Sequence, residues 1–246
     1  MQAEYQSPQS QAAAIEDVYP YVVPLAHTAR SSRWVDGLPA RDFRYRVVKR
    51  SIDIGLVLLS LPVTLPILAA VGAAVALSTP GPMFYSHRRI RKNGAFFSMW
   101  KFRTMCVDSA EVLEKHLAGH PEARMEWNQT HKLRDDPRVT PIGAILRRYS
   151  LDELPQLWNV LTGQMSLVGP RPIVAAEVEK YGDHFDCYCS VNPGLTGLWQ
   201  VSGRSELSYN ARVDLDCNYV EQWSLAKDMV ILGRTFASVA NQDGAY

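Results

Sequence analysis

The chain has 246 residues, 47% of them hydrophobic, and a formal net charge of +1 from 26 Lys and Arg against 25 Asp and Glu. That balance gives no support for nucleic acid as a partner, because neutralising many phosphates takes a basic excess. The four cysteines, Cys106, Cys187, Cys189 and Cys217, match no usual zinc spacing and read as free thiols of a protein whose soluble part faces the cytoplasm.

In chain order, residues 1–40 are rich in Gln, Ala, Ser and Pro, carry no sustained apolar period, and read as a flexible leader. The short run Tyr19–Leu25 is interrupted by Pro20 and Pro24 and cannot nucleate a helix of its own. Residues 41–82 read as the membrane-associated part. Ile54–Leu77 is uncharged, preceded by Arg44, Arg46, Lys49 and Arg50 and followed by Arg88, Arg89, Arg91 and Lys92. At about 1.5 Å per residue such a stretch can cross a hydrocarbon core of ~30 Å. Cations favour the cytoplasmic side, and here both ends carry them. Pro62 and Pro66 each remove a backbone donor mid-segment, so a helix that enters, breaks at Pro66 and leaves by the same face satisfies both ends. A straight span and a buried soluble helix are the competing readings. The long polar segment ahead of the run argues against a signal peptide.

Residues 83–246 read as the cytoplasmic domain. Two short aromatic runs, Met83–Ser86 and Phe96–Trp100, flank Lys92-Asn93-Gly94 and predict a hairpin. Val107, Ala110, Leu113 and Leu117 predict a helix, the chain turns at Asp135-Asp136-Pro137, and Ile142, Ile145 and Leu146 open a second helix closed by Arg147 and Arg148. Near the C-terminus Leu225, Met229, Leu232 and Phe236 mark an amphipathic helix that packs on the core or lies on the membrane surface.

The densest chemistry falls in Ser150–Pro155. Ser150-Leu151-Asp152-Glu153 fits a capping box, with Ser150 capping the third amide and Glu153 reaching back. It also sets two adjacent carboxylates just after two arginines. A Mg²⁺ ion is held by one or two carboxylates plus substrate phosphates, and a carboxylate can itself become the nucleophile of a covalent phosphoryl intermediate. Downstream, Gly163 reads as a helix C-cap, and Ser166–Val168 as a strand running into Gly169-Pro170-Arg171-Pro172, where two prolines stiffen the backbone around Arg171, either an anion-binding arm or an exposed arginine in a turn. Pro193–Arg204 is a further turn-rich run ending in arginine.

Other matches are weaker. Asp214-Leu215-Asp216 spells the Asp-x-Asp of many metal-dependent glycosyltransferases, but it lies in a helical pattern where i and i+2 diverge. His116 and His120 have helical ligand spacing without a third ligand, and Asp135-Asp136 reads as a turn. No Walker-type or Gly-x-Gly-x-x-Gly loop is present.

Lys49-Arg50, the proline-broken apolar run, Lys101-Phe102-Arg103-Thr104-Met105, Ser150–Pro155, Gly169–Pro172 and Pro193–Arg204 occur in the order found in bacterial sugar transferases. Over residues 47–246 the chain resembles these small monotopic phosphoglycosyl transferases, especially the succinoglycan-type galactose-1-phosphate transferases that begin exopolysaccharide units; the Gly244-Ala245-Tyr246 ending fits that group. The resemblance implies a mainly α protein with a small β component, monotopic in the bacterial inner membrane, with a re-entrant helix and interfacial amphipathic helices on a cytoplasmic catalytic domain. It implies Mg²⁺ and a two-step reaction between a UDP-sugar (galactose, else glucose) and undecaprenyl phosphate. Asp152 would be the nucleophile and, with Glu153, a metal ligand, while Lys101, Arg103, Arg147, Arg171 and Arg204 would lie near the phosphates. Inner-membrane lipids, further copies of the chain and downstream glycosyltransferases are the implied partners. One departure is Leu65-Pro66 in place of the family's Ser-Pro at the helix break, leaving Thr64 or Ser60 to satisfy a freed carbonyl. A nucleotide-sugar hydrolase using the same metal site, and a non-catalytic membrane scaffold, are the rival classes.

Overall fold

A computed structural model describes residues 42–130, 133–203 and 207–240. The leader, Arg204 and the Gly244–Tyr246 ending lie outside the described residues. The long apolar segment is one helix, α1 (Phe43–Ser78), of 36 residues. It continues through Pro62 and Pro66, helical on both sides of each. Ser60 bonds the Val57 carbonyl at 2.7 Å and the Thr64 hydroxyl has no hydrogen-bond partner among the described residues, so neither takes up a carbonyl freed by a proline. Leu58, Leu59, Val63 and Leu65 are exposed, as expected of a segment whose surroundings are lipid rather than protein.

The remaining elements are β1 (Phe84–Ile90), β2 (Phe96–Phe102), α2 (Ser109–Gly119), α3 (Pro121–Thr130), α4 (Pro141–Arg148), α5 (Gln156–Leu161), β3 (Ser166–Val168), α6 (Val178–Tyr181), α7 (Phe185–Cys189), β4 (Gly194–Thr196), α8 (Tyr209–Glu221) and α9 (Leu225–Ala240). Among the described residues the protein is therefore mainly helical with two small sheets. The predicted hairpin is β1–β2, turning through Lys92–Gly94 with Asn93 in the left-handed region (φ 62°). The helix expected from Val107 begins two residues later, at Ser109. All four cysteines are free.

The chain forms two compact units. Among the described residues, one comprises 42–60, Ser86–Met99 and the described part of Gln156–Ser238. Its core gathers Val57, Ile90, Phe97, Val160, Met165, Tyr188, Tyr219 and Ile231. β3 and β4 pair in parallel, Ser166 opposite Gly194 and Val168 opposite Thr196. Gly194 is required there: a Cβ would stand 2.1 Å from the Gly169 amide nitrogen. The amphipathic stripe of α9 turns mostly outward. Leu225, Met229 and Phe236 (77%) are exposed, Leu232 is half-buried, and Asp228 and Ile231 fill the inner face.

That inner face closes a buried polar cluster. Lys49 Nζ lies 2.7 Å from Asp228 and 3.8 Å from Asp53. Asp228 also accepts from the Tyr219 hydroxyl (2.8 Å) and Trp223 Nε1 (3.0 Å), and Asp53 accepts the Leu167 amide at 3.0 Å. Arg50 donates to the Val160 and Leu161 carbonyls at the end of α5, where the macrodipole favours a cation.

The other unit comprises, among the described residues, Leu61–Tyr85, Trp100–Pro155 and 239–240. Val71 and Val75 of α1 pack with Phe102 of β2 and Leu146 of α4, with Ile142, Leu151 and Leu154 around them. This small core carries the Asp152-Glu153 pair.

Candidate active site

The site is assembled by β2, α4 and the turn that follows α4. Thr140 starts α4 as N-cap, its hydroxyl accepting the Gly143 amide at 3.0 Å, with Pro141 in the first turn. The Thr140 amide donates to the Thr104 carbonyl at 3.0 Å, and Met105 bridges antiparallel to Val139. Gly143 allows this close approach, since a Cβ would stand 2.1 Å from the Thr104 carbonyl oxygen. The result delivers Arg147 to Thr104: Nε donates to the threonine hydroxyl at 2.9 Å.

After α4, Ser150 adopts a left-handed conformation (φ 54°) and reverses the chain into a 3₁₀ turn, Leu151–Glu153. The capping box expected at Ser150 does not form. Its side chain makes no cap bond, because the left-handed backbone is not the extended geometry that a cap needs; Glu153 turns instead to Lys101. The carboxylates accordingly sit in a one-turn 3₁₀ segment ahead of α5. Leu151 and Leu154 anchor that turn in the apolar core. Asp152 between them is 7% exposed.

Lys101, on β2, is the cation at this turn. Its Nζ is 2.6 Å from Glu153 Oε1 and 3.5 Å from Asp152 Oδ2. Burial pushes the Asp152 carboxyl above its ordinary value; Lys101 pulls it down, Glu153 pushes it up and Arg147 pulls it down again. Burial likewise disfavours the Arg147 charge, against which Asp152 and Asp136 act.

Asp136 and Arg138 enlarge this network. Arg138 grips Asp136 through Nε at 2.8 Å and Nη2 at 2.6 Å, and its guanidinium lies 5.0 Å from the Trp127 ring centroid. Burial alone would raise the Asp136 carboxyl, but the Arg138 hydrogen bonds, with Arg147, hold it below the ordinary range. Sequence reasoning saw only a turn at Asp135-Asp136 and gave Thr104 no separate role. The available signal was an arginine two residues beyond an aspartate across Pro137, which lets the side chain fold back on the acid.

The other predicted residues have different surroundings. Arg103 is buried and caps the end of α1, donating to the Thr79 carbonyl at 2.7 Å and hydroxyl at 2.8 Å, while its Nη1 has no hydrogen-bond partner among the described residues. Arg171, in the first unit, is exposed, with its guanidinium 5.7 Å from the Trp199 ring centroid. Asp214 is exposed and Asp216 buried on different faces of α8, so the Asp-x-Asp match forms no site. His116 and His120 stack on each other at 4.4 Å. Among the described residues no three or more His, Cys, Asp or Glu side chains converge as a metal cluster. Asp152 and Glu153 nevertheless have the hard oxygen donors Mg²⁺ prefers, and both already face one cation, Lys101; as a two-carboxylate site completed by substrate phosphates they fit the ion.

This arrangement combines a buried carboxylate, a second carboxylate beside it, a half-buried lysine and an oriented arginine, the parts needed to bind and transfer a phosphoryl group. The bacterial sugar transferase family matches residues 44–242. The exopolysaccharide production protein ExoY of Sinorhizobium fredii is 46% identical over 81% of this chain and 88% of its own length. The undecaprenyl-phosphate galactose phosphotransferase of Salmonella typhimurium is 44% identical over 90% of this chain and 46% of its own. The UDP-galactose-lipid carrier transferase of Erwinia amylovora is 48% identical over 82% and 42% respectively. The chain thus spans less than half the length of the last two relatives and most of the first. It belongs to the bacterial sugar transferase family.

Proposed function

We propose that the chain is a phosphoglycosyl transferase that moves galactose 1-phosphate from UDP-galactose to undecaprenyl phosphate, the first membrane step of exopolysaccharide synthesis. The observation that carries this reading is a buried Asp152 flanked by Glu153, Lys101 and Arg147, in a chain whose relatives bear galactose and lipid-carrier names. In the first step an Asp152 oxygen attacks the sugar-bearing phosphorus. The bond from that phosphorus to the bridging oxygen breaks, and UMP leaves with the electron pair. In the second, an oxygen of the lipid phosphate attacks the same phosphorus, the bond to Asp152 breaks, and the free carboxylate is restored.

The protein's task is positioning and charge neutralisation. Thr104 fixes the Arg147 guanidinium, Asp136 with Arg138 balances it, and Arg147 binds phosphate oxygens through its remaining donors. Lys101 holds the carboxylates in place and offers its ammonium to the incoming phosphate. Asp152 and Glu153 would hold Mg²⁺, which when bound neutralises diphosphate charge. Arg171 is a further phosphate-binding arm. The two basic flanks of the apolar run support a re-entrant α1, bent at Pro66, in the inner membrane with the catalytic units in the cytoplasm. The outward stripe of α9 lies on the membrane surface.

Incubating the purified chain with UDP-galactose and Mg²⁺ but no lipid tests the chemistry. Intact-mass spectrometry is expected to find a hexose-phosphate adduct on wild type and none on Asp152→Asn. UMP formation without any adduct, accompanied by free sugar phosphate, would identify a hydrolase instead. An adduct from UDP-glucose and none from UDP-galactose would reassign the sugar.

A further inference from the structure

Among the described residues, the ion-pair partners of Lys101 are Glu153 at 2.6 Å and Asp152 at 3.5 Å. Its ammonium thus stands at the two oxygens best suited to Mg²⁺, and all three residues belong to one compact unit. The backbone beside Lys101 is fixed, because Phe102 is buried with Leu146 in the small core. Its side chain is a flexible four-carbon stem, 24% exposed, so the ammonium can move while the strand stays. Arg147 differs: its Nε is committed to the Thr104 hydroxyl at 2.9 Å. Lys101 is therefore the movable cation of this turn.

Adjacent carboxylates without a cation repel each other, and each opposes ionisation of the other. An ammonium has three donors and no acceptor, so it can quiet the pair but cannot join the coordination of a metal ion. A divalent cation on the same oxygens would stand close to the ammonium, and two cations at one carboxylate repel. The divalent ion carries the larger charge, so the lysine is the one to yield. A diphosphate arriving with the metal offers the displaced ammonium a new set of anionic oxygens.

We propose that Lys101 is a resident counterion that occupies the carboxylate pair before the metal does: it leaves Glu153 when a divalent cation binds, and its ammonium then goes to the diphosphate of the nucleotide sugar. Lys101 thereby opposes metal binding in the empty site and supports phosphate binding in the filled one. Metal and nucleotide are coupled through this one side chain. The inference rests on the reading of Asp152 and Glu153 as the metal site of a phosphoglycosyl transferase.

Two measurements on the full chain in detergent test this. In the first, wild type is labelled with an amine-reactive ester and the modified peptides are quantified by mass spectrometry, with exposed Lys115 as the internal reference. Saturating Mg²⁺ alone should speed labelling of Lys101 several-fold, and UDP added with Mg²⁺ should slow it again. In the second, Mn²⁺ binding without nucleotide is followed by the electron paramagnetic resonance of the free ion. Lys101→Met should bind Mn²⁺ about tenfold more tightly than wild type, and Glu153→Gln in that background should remove the gain. A lysine that merely held the turn together would give weaker metal binding in Lys101→Met, and one that only met phosphate would leave it unchanged; either result overturns the inference. So does labelling of Lys101 that Mg²⁺ slows or leaves alone, which decides the matter on wild type if Lys101→Met does not fold. Absence of Mn²⁺ binding in both proteins would overturn the metal-site reading and the inference with it, while the phosphosugar adduct on Asp152 reports on the transferase reading separately.

Discussion

At the residue scale, Asp152 is held in its buried turn at some expense of stability. Burial raises its carboxyl, so ionising it opposes folding, while the proposed role of nucleophile requires it ionised. Asp152→Asn should therefore abolish turnover, by roughly 10³-fold or more, with a melting temperature equal to or above wild type. A calorimetric scan beside the UMP assay reads both, and a variant that loses activity by unfolding would contradict the assignment. Asp216 gives the pH dependence. Its folded value of about 8 stands above the unfolded value, so the unfolded chain loses that proton first as pH rises. Stability then falls from about pH 4 to about pH 8, by at most ~1.4 kcal/mol per pH unit for one proton. Denaturant melts across that range should show the fall in wild type and a flatter profile in Asp216→Asn. The sequence marked Asp152 and Glu153 because adjacent carboxylates after two arginines are conspicuous. It did not reveal Thr104 on Arg147, because that contact depends on the tight packing of α4 on the end of β2; Arg138 on Asp136 is a local pair across Pro137 whose signal was present but shared by many turns.

At the element scale, α1 joins the two units: Val57 packs in the core of one, Val71 and Val75 in the core of the other. Its charge pattern was legible, since an uncharged run between two cationic clusters can be read directly. The buried pair Lys49–Asp228 was not, because it links residues 179 positions apart. Lys49→Met leaves buried Asp53 and Asp228 without their cation and should cost about 3–5 kcal/mol, measured by chemical denaturation in detergent. The proposed bend at Pro66 has its own test. A cysteine placed just before α1 should be shielded from a membrane-impermeant thiol reagent applied outside intact spheroplasts. Replacing both Pro62 and Pro66 by alanine should straighten the helix and expose that cysteine. Labelling in the wild-type background would show that α1 spans the bilayer.

At the scale of the whole molecule, fold and chemistry answer one demand. In the proposed reaction a polyprenyl chain stays in lipid while its phosphate meets a soluble nucleotide sugar, and a protein anchored by one apolar helix could bring a carboxylate to that boundary. The amphipathic pattern of α9 was readable as a stripe, but which side faced the core required the structure: Asp228 and Ile231 point in, and Phe236 points out. Its polar inner face exists because Lys49, Tyr219 and Trp223 wait there to pair with Asp228. The central claim is that Asp152 transfers a phosphosugar to a lipid phosphate. UMP release from UDP-galactose by detergent-solubilised protein with Mg²⁺, with and without undecaprenyl phosphate, tests it most directly. Sustained turnover that depends on the lipid and vanishes in Asp152→Asn is the predicted result; sustained turnover without the lipid, or undiminished in Asp152→Asn, would contradict it.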